Sequence, residues 1–346
     1  MKNNSNLVSI IIPTLNSAHV LEYCLASIKT QTYKSYEILI IDGGSSDNTI
    51  NIAKKYHCHI FNNPLKTAES AKAIGLKKAK GKYIALIDSD NILPNKNWLS
   101  TMLIPFSDPK IIGSEPLSFT YRKNAGFIER YSSLIGANDP YAYISGNYDR
   151  FSQLTQKWTN IKLPTENFKK YLKIKIDNNQ YIPTIGANGT IFRKDFLLKF
   201  FKGDYFFDID ILAIAPKPLY FAKVKIGIIH TFCESSIIKF ITKQNRRLCD
   251  YFNHIHERKY DYSNNFNKNI FNNLYLLIKN NLYFSLYSLL IIPSLVDSIR
   301  GFFRKPDPAW FFHPLACFIT FWIYLYISIL NVFGIKLRLN RNQWHQ

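Results

Sequence analysis

Residues 8–88 alternate between two periodicities. Apolar, β-branched runs, VSIII (8–12), EILIID (37–42), CHIFN (58–62) and KYIALID (82–88), are separated by stretches with apolar residues at helical spacing. Val20, Leu21, Cys24, Leu25 and Ile28 fall on one face of a helix opened by a Ser17 cap. Further helices are expected near Asp47 and across 67–79. Repetition of this kind builds a mostly parallel, Rossmann-like sheet covered by helices on both faces. In such α/β sheets the ligand crevice lies beyond the carboxyl ends of the strands. Those ends carry Pro13-Thr14, Asp42 and Asp88-Ser89-Asp90. No GxGxxG follows the first strand and no GxxxxGK[ST] occurs, so neither the dinucleotide fingerprint nor the phosphate loop is present.

On extended backbone, positions i and i+2 point to the same side, so Asp88 and Asp90 are expected to face one ligand while Ser89 points away. Two carboxylates in one crevice repel unless a cation or a proton lies between them. A hard divalent ion, Mg2+ or Mn2+, held through one or two carboxylates and completed by substrate phosphate oxygens, meets that need. A helix cap or turn acid is the plainer reading of a lone Asp-x-Asp pair. The strand context, with Asp42 at the neighbouring strand end, favours the metal.

The chain has 346 residues, with 44 Lys and Arg against 24 Asp and Glu, a net charge of +20. That excess favours a polyanionic partner: a nucleotide, an anionic membrane or nucleic acid. The lysines are spread along the chain without an RNA-recognition or helix-turn-helix pattern, which disfavours a non-catalytic nucleic-acid-binding protein. Cys24, Cys58, Cys233, Cys249 and Cys317 are scattered and form no CxxC pair, so reduced, cytoplasmic-facing thiols are expected. MKNNSNLVSIIIP has only a short apolar run ended by Pro13 and reads as a first strand, not a signal peptide.

VSIIIPTLNSAHVLEYCLASIKTQTYKSYEILIIDGGSSDNT followed by KAIGLKKAKGKYIALIDSDN resembles the nucleotide-sugar-binding half of glycosyltransferase family 2, with its GT-A fold. The match is close over residues 7–110 and looser to about 250. The resemblance implies that Pro13, Thr14 and Asn16 line the nucleotide pocket and that Asp42 accepts a hydrogen bond from the nucleobase imide. It also implies that Asp88 lies near the ribose and pyrophosphate and that Asp90 holds the bridging metal. Where the family carries an Arg-Asn pair this chain has Lys72-Ala73; Lys72 can supply charge to the pyrophosphate but not a bidentate fork.

By the same resemblance, YIPTIGANGTIFRKDFL (181–197) lies under the donor sugar. Asp208 of DYFFDIDIL (204–212) is the catalytic base, and Asp210 caps or orients the following helix or exchanges roles with it. His230, at the end of KIGIIHTF (225–232), is either a metal or phosphate contact or a structural histidine. KQNRRL (243–248) resembles the QxxRW element of processive members, so Gln244, Arg246 and Arg247 are expected to contact pyrophosphate or an anionic acceptor. Leu248 in place of the tryptophan argues against a polymer-threading synthase. The aromatic stretch 127–151, with Arg130, Asn138, Asp139 and Asp149, is either an acceptor groove or a packed insertion.

WFFHPLACFITFWIYLYISILNVFGI (310–335) carries no formal charge other than any on His313, is long enough to span a bilayer, and is followed by Lys336, Arg338 and Arg341. The stretch 282–299 contains Pro293 and Asp297 and reads as a kinked span or an interfacial helix. A buried helical pair is the soluble alternative. Three regions are expected: 1–110, the nucleotide-sugar-binding half; 111–265, the acceptor and catalytic-base half; and 266–346, membrane-associated helices. The expected protein is an inverting, metal-dependent glycosyltransferase of polysaccharide biosynthesis, anchored at the cell membrane with its catalytic domain cytoplasmic. It would use a UDP-sugar or other nucleoside-diphosphate sugar and a glycan or lipid-linked acceptor on an anionic membrane. Polyprenyl phosphate is the alternative acceptor.

Overall fold

A computed structural model of the chain describes residues 6–255, apart from Asn179, Ala187 and Phe207, and residues 270–335. Strands and helices alternate first: β1 (Val8–Thr14), α1 (Ala18–Lys29), β2 (Tyr36–Asp42), α2 (Thr49–Lys55), β3 (His59–Asn62), α3 (Ala68–Lys78) and β4 (Tyr83–Leu86). Then come β5 (Asn91–Ile92), α4 (Trp98–Leu103), β6 (Ile111–Phe119), α5 (Phe127–Ile135), α6 (Pro140–Ile144), β7 (Thr165–Asn167), β8 (Tyr171–Ile176) and β9 (Thr190–Arg193). The chain continues through α7 (Lys194–Phe200), α8 (Asp208–Ile214), β10 (Leu219–His230), α9 (Ile237–Asn253), α10 (Ile270–Leu290), α11 (Ile292–Arg304) and α12 (His313–Val332).

One sheet runs in the order β3-β2-β1-β4-β9-β6-β10-β8-β7, with β5 added against β10. The first four of these strands are mutually parallel, and the register sets Thr14 beside Asp42. β9 is antiparallel to both of its neighbours. The apolar runs are unbroken because both faces are covered: Ile10, Ile12, Ile38 and Ile40 join one core cluster with α1, while Ile11, Leu39 and Ile41 join another with α3. Period-two alternation thus supplies both cores from the same strands.

Three local expectations change. Ser17 precedes α1, but its hydroxyl makes no cap bond; the Ala18 N–H donates instead to Asp47 Oδ2 at 3.0 Å. The strand expected over 82–88 ends at Leu86, because the Asn91 N–H donates to the Asp88 carbonyl (2.9 Å) and the Asp88 N–H to Asn91 Oδ1 (3.0 Å), closing a turn. The bend in the 282–299 stretch is not at Pro293, which lies in the first turn of α11 where a missing N–H costs nothing; the 79° bend falls at Ile291, and the bent pair is together long and apolar enough for one broken span.

The stretch 127–151 is packed. Ile128, Tyr131, Leu134, Tyr143 and Tyr148 join Phe240, Trp310 and Phe312 in a third core cluster. α12 continues from the 3-10 turn Pro308–Phe312, and Pro308–Val332 is one helical stretch of 25 residues containing an 18-residue window of mean hydropathy 1.9, long and apolar enough to cross a membrane. Lys336, Arg338 and Arg341 lie outside the described residues. All five cysteines are free.

Gly75 shows how closely α3 approaches β1: a Cβ there would meet Ile11 Cγ2 at 2.4 Å. Gly75→Ala is expected to destabilise by about 1–3 kcal/mol through overpacking. In urea titrations Ile11→Ala should recover part of that loss when combined with it, because the two changes share one volume.

Candidate active site

The carboxyl edge of the sheet gathers three groups. The first is the turn after β2. Asp42 is buried and accepts four hydrogen bonds: from Thr14 Oγ1 (2.8 Å) and Ser45 Oγ (2.6 Å) on Oδ1, and from the Gly44 and Ser45 N–H groups (2.9 and 2.8 Å) on Oδ2. Gly44 has φ +89°, a conformation that favours glycine and aims successive N–H groups at the carboxylate. Asn16 joins this turn through its Oδ1, which accepts from the Ser46 N–H at 2.8 Å. Thr14 and Asn16 therefore stand with Asp42, and Pro13 precedes them on β1.

The second group forms around the turn after β4. Because the chain turns after Ile87, Asp88 and Asp90 do not share the side of an extended strand. Asp90 Oδ2 lies 3.2 Å from His230 Nε2 and 3.4 Å from Lys243 Nζ. Burial would raise the Asp90 pKa, but His230 and Lys243 outweigh it and hold the carboxyl well below the ordinary range. Burial pushes Asp88 up, with Lys72 the main opposing charge.

The third group is Lys72 on α3 with Asp208 at the start of α8. Lys72 Nζ lies 3.5 Å from Asp208 Oδ2. Burial works against the Lys72 ammonium, yet Asp208, Asp88 and Glu69 together hold its pKa above the usual value. Asp208 is pushed up to about 6 by burial, with Glu69 and Asp88 adding and Lys72 opposing. Its Oδ1 is buried with no hydrogen-bond partner among the described residues. Gly186 is pressed against this acid: a Cβ there would lie 2.3 Å from Asp208 Oδ2.

Asp90 and His230 fit a hard divalent ion. Ligands at about 2.1 Å in octahedral geometry put cis donors about 3 Å apart, close to the 3.2 Å observed. Asn138 supplies the outer support. Its Nδ2 is 3.1 Å from His230 Nδ1, while its Oδ1 is buried without a partner among the described residues. A flipped Asn138 amide would accept from Nδ1–H, satisfy that oxygen and leave the Nε2 lone pair for a cation. Among the described residues no three His, Cys, Asp or Glu side chains form a closed cage, so an ion here takes the rest of its shell from substrate and water.

The other expected residues separate. Gln244 is fully buried: its Nε2 donates to the Asn138 carbonyl (3.0 Å), and its Oε1 accepts from Arg247 and Tyr324. It braces α9 and does not face the crevice. Arg247 lies 3.6 Å from Asp139. Burial lowers the pKa of Arg246, while Asp250 and Glu69 oppose that shift. Asp210 lies in the first turn of α8 and is buried. Lys243, absent from the sequence reading, is the cation that reaches Asp90. Its place one turn before Arg247 on an amphipathic helix was the available signal.

A buried ionic cluster was also missed. Glu115 Oε1 lies 2.7 Å from Arg150 Nη1 and Glu115 Oε2 lies 2.6 Å from Lys223 Nζ, with all three residues fully buried. Glu115 Oε1 also accepts from the Gly186 N–H (3.3 Å) and Thr190 Oγ1 (3.2 Å), so the cluster holds the turn on which Asp208 rests. A Glu and a Lys inside the apolar strands IIGSEPLSF and LYFAKVKIGIIH were the signal.

The carboxyl edge of this α/β sheet thus gathers Asp42, Asp90 with His230, and Asp208 with Lys72. The family model "Glycosyl transferase family 2" matches residues 9–201, and the chain belongs to that family. The uncharacterized glycosyltransferase YibD of Escherichia coli (strain K12) is 38% identical over 96 residues, 26% of this chain and 28% of that protein. The UDP-Glc:alpha-D-GlcNAc-diphosphoundecaprenol beta-1,3-glucosyltransferase WfgD of Escherichia coli is 36% identical over 101 residues, 28% of this chain and 38% of that one. The matched stretch thus spans well under half of each relative. Among solved structures, the mannosyltransferase PcManGT from Pyrobaculum calidifontis, in complex with GDP-Man and Mn2+, superposes with TM-score 0.53 at 14% identity, covering 93% of this chain and 87% of that one. The likeness is one of fold, which is GT-A.

Glu115→Gln is expected to destabilise the protein by about 3–5 kcal/mol, because it leaves Lys223 buried without its acid partner and Arg150 with Asp149 alone. Glu22→Gln, which breaks the exposed pair with Lys55, should leave the urea midpoint where it was.

Proposed function

We propose that this chain transfers a sugar from a nucleoside-diphosphate sugar to the hydroxyl of a glycan or lipid-linked acceptor, with inversion, at the cytoplasmic face of the membrane. The observation that carries the reading is the opposition of two assemblies across one sheet edge: Asp90 with His230, and Asp208 with Lys72. WfgD, by its name, uses UDP-Glc and a diphosphoundecaprenol-linked sugar. That supports a UDP-sugar donor and a lipid-linked acceptor here.

Pro13, Thr14 and Asn16 line the nucleoside side, where Asp42 takes the base imide N–H in exchange for one of its hydroxyl donors. Asp88 lies toward the ribose and pyrophosphate. Asp90 and His230 would hold Mg2+ or Mn2+, which when bound neutralises charge on the departing diphosphate. Lys72 adds a fixed positive charge beside the reacting centre. Asp208 takes the acceptor proton as the new bond from the acceptor oxygen to the anomeric carbon forms and the bond to the diphosphate breaks. A buried carboxyl with a pKa of about 6 suits that task, since it is ionised at neutral pH and still basic enough to accept a proton. One base with no second carboxylate acting as nucleophile accounts for inversion.

Asp90→Ala should abolish Mn2+-dependent donor binding in calorimetry while the fold stays intact, with the urea midpoint lowered because His230 and Lys243 lose their acid partner. Undiminished metal-dependent binding would refute the metal assignment. Asp208→Asn should retain donor affinity and lose roughly two to four orders of magnitude in turnover. Ionised Asp208 is the active form, so kcat/KM should fall about tenfold per pH unit below pH 6. Lys72→Met should move that acid limb upward, because the ammonium favours the carboxylate, and Lys72→Arg should hold it in place. A limb that ignores both changes would remove Asp208 from the role.

A further inference from the structure

We propose that the C-terminal helices seat the protein in one leaflet, with α11 and α12 lying in the membrane plane, and that α12 does not cross the bilayer. The partner is an anionic phospholipid surface. This deepens the reading of an enzyme working at a membrane and rests on it.

Three observations carry it. First, α12 has two unlike faces along its length. Leu315, Phe318, Trp322, Leu325, Ile329 and Val332 are exposed, 38% to 81%, at alternating three- and four-residue spacing. The opposite face, from His313 through Cys317 and Phe321 to Ile327, is buried. That face covers about 21 Å of helix at 1.5 Å per residue, a large part of a hydrocarbon layer of about 30 Å.

Second, the buried face is packed against charged protein. Tyr324, beyond the midpoint of α12, donates to Asp139 Oδ2 at 2.8 Å, and Arg247 lies 3.6 Å from the same oxygen. If α12 crossed the bilayer, Asp139 and Arg247 would sit at hydrocarbon depth. With the helix in plane they stay on the protein side while the outer stripe meets lipid.

Third, α11 divides into three faces at 100° per residue. Ile292, Leu295, Val296, Ile299 and Phe303 are exposed on one side. Ser294, Ser298 and Gly301 are buried on the other, where a Cβ on Gly301 would meet the Trp310 ring at 2.5 Å. Arg300 and Arg304, both exposed, fall between these faces, at the height of phosphate headgroups. An outward apolar stripe edged on one side by arginines is the pattern of an interfacial helix; Arg300 lies 3.5 Å from Asp297, and Arg304 adds charge that complements anionic lipid in a chain of net charge +20.

The test uses the full-length chain in sealed inside-out membrane vesicles, with Cys58, the one half-exposed native cysteine, replaced by serine. Pro306→Cys, just before the helical stretch Pro308–Val332, and Asn331→Cys, in its last turn, are exposed positions and are probed with a membrane-impermeant maleimide. Both should label fully without detergent. Protection of either end until detergent opens the vesicle would make α12 a span and overturn the proposal. For the purified protein, combined Leu295→Glu, Ile299→Glu and Phe303→Glu should reduce flotation with phosphatidylglycerol–phosphatidylcholine liposomes at least tenfold. Combined Arg300→Glu and Arg304→Glu should weaken flotation only with anionic liposomes and only at low salt. Flotation of the triple variant equal to wild type would also overturn the proposal. Donor binding by calorimetry, measured on the same proteins, reads the crevice separately: its retention shows the variants are folded, and its absence in the wild type would sink the transferase reading while the topology result stands.

Discussion

Glu115, Arg150 and Lys223 are three charges without access to water, and the second half of the molecule is organised around them. β6 supplies the acid, β10 one cation, and the segment after α6 the other. Removing all three from solvent is expensive, and only mutual pairing with further hydrogen bonds offsets the cost. Those further bonds come from Gly186 and Thr190, which ties the turn before β9 to the cluster. Gly186 in turn lies against Asp208, and Asp208 against Lys72. A buried ion cluster thus supports the turn against which Asp208 packs.

The crevice sorts its acids by the company each one keeps. Asp42 is saturated by four donors and stiffens a turn. Asp90 faces two cationic or potentially cationic groups and stays ionised. Asp208 is buried with a single lysine and is pushed up to about 6. The same side-chain chemistry gives a saturated scaffold acid, an acid held ionised and an acid pushed toward neutrality because burial and neighbouring charge differ.

Much of this was legible in the sequence. Unbroken β-branched runs gave the parallel strands, and their acid-tipped ends marked the crevice, because the strand period and the position of strand ends are local properties. The partners of those acids were not legible. Lys243 meets Asp90 across 153 positions and Lys72 meets Asp208 across 136, and no local pattern encodes such pairings. The turn at Asp88 was missed because Asn91 closes it through a side-chain bond that hydropathy does not register. Gln244 carried the resemblance to a family element but lies buried, since whether a polar residue faces ligand or core depends on what packs over it. Here Tyr324, 80 positions later, does so.

That contact joins the C-terminal helices to the site. Asn138 and Asp139 are adjacent, and one holds His230 while the other holds Tyr324 of α12. Trp310, Phe312 and Ala316 are buried in the same cluster as Ile128, Tyr131 and Phe240. A chain ended near residue 265 would therefore open that cluster and release Asp139, and with it the neighbour that orients the candidate metal-binding histidine. The apolar tail is part of the folded body: one face of α12 completes a core, and the other is exposed. On the proposed membrane reading, a lipid-linked acceptor would meet helices in direct contact with Asp139, the neighbour of the Asn138 that holds His230.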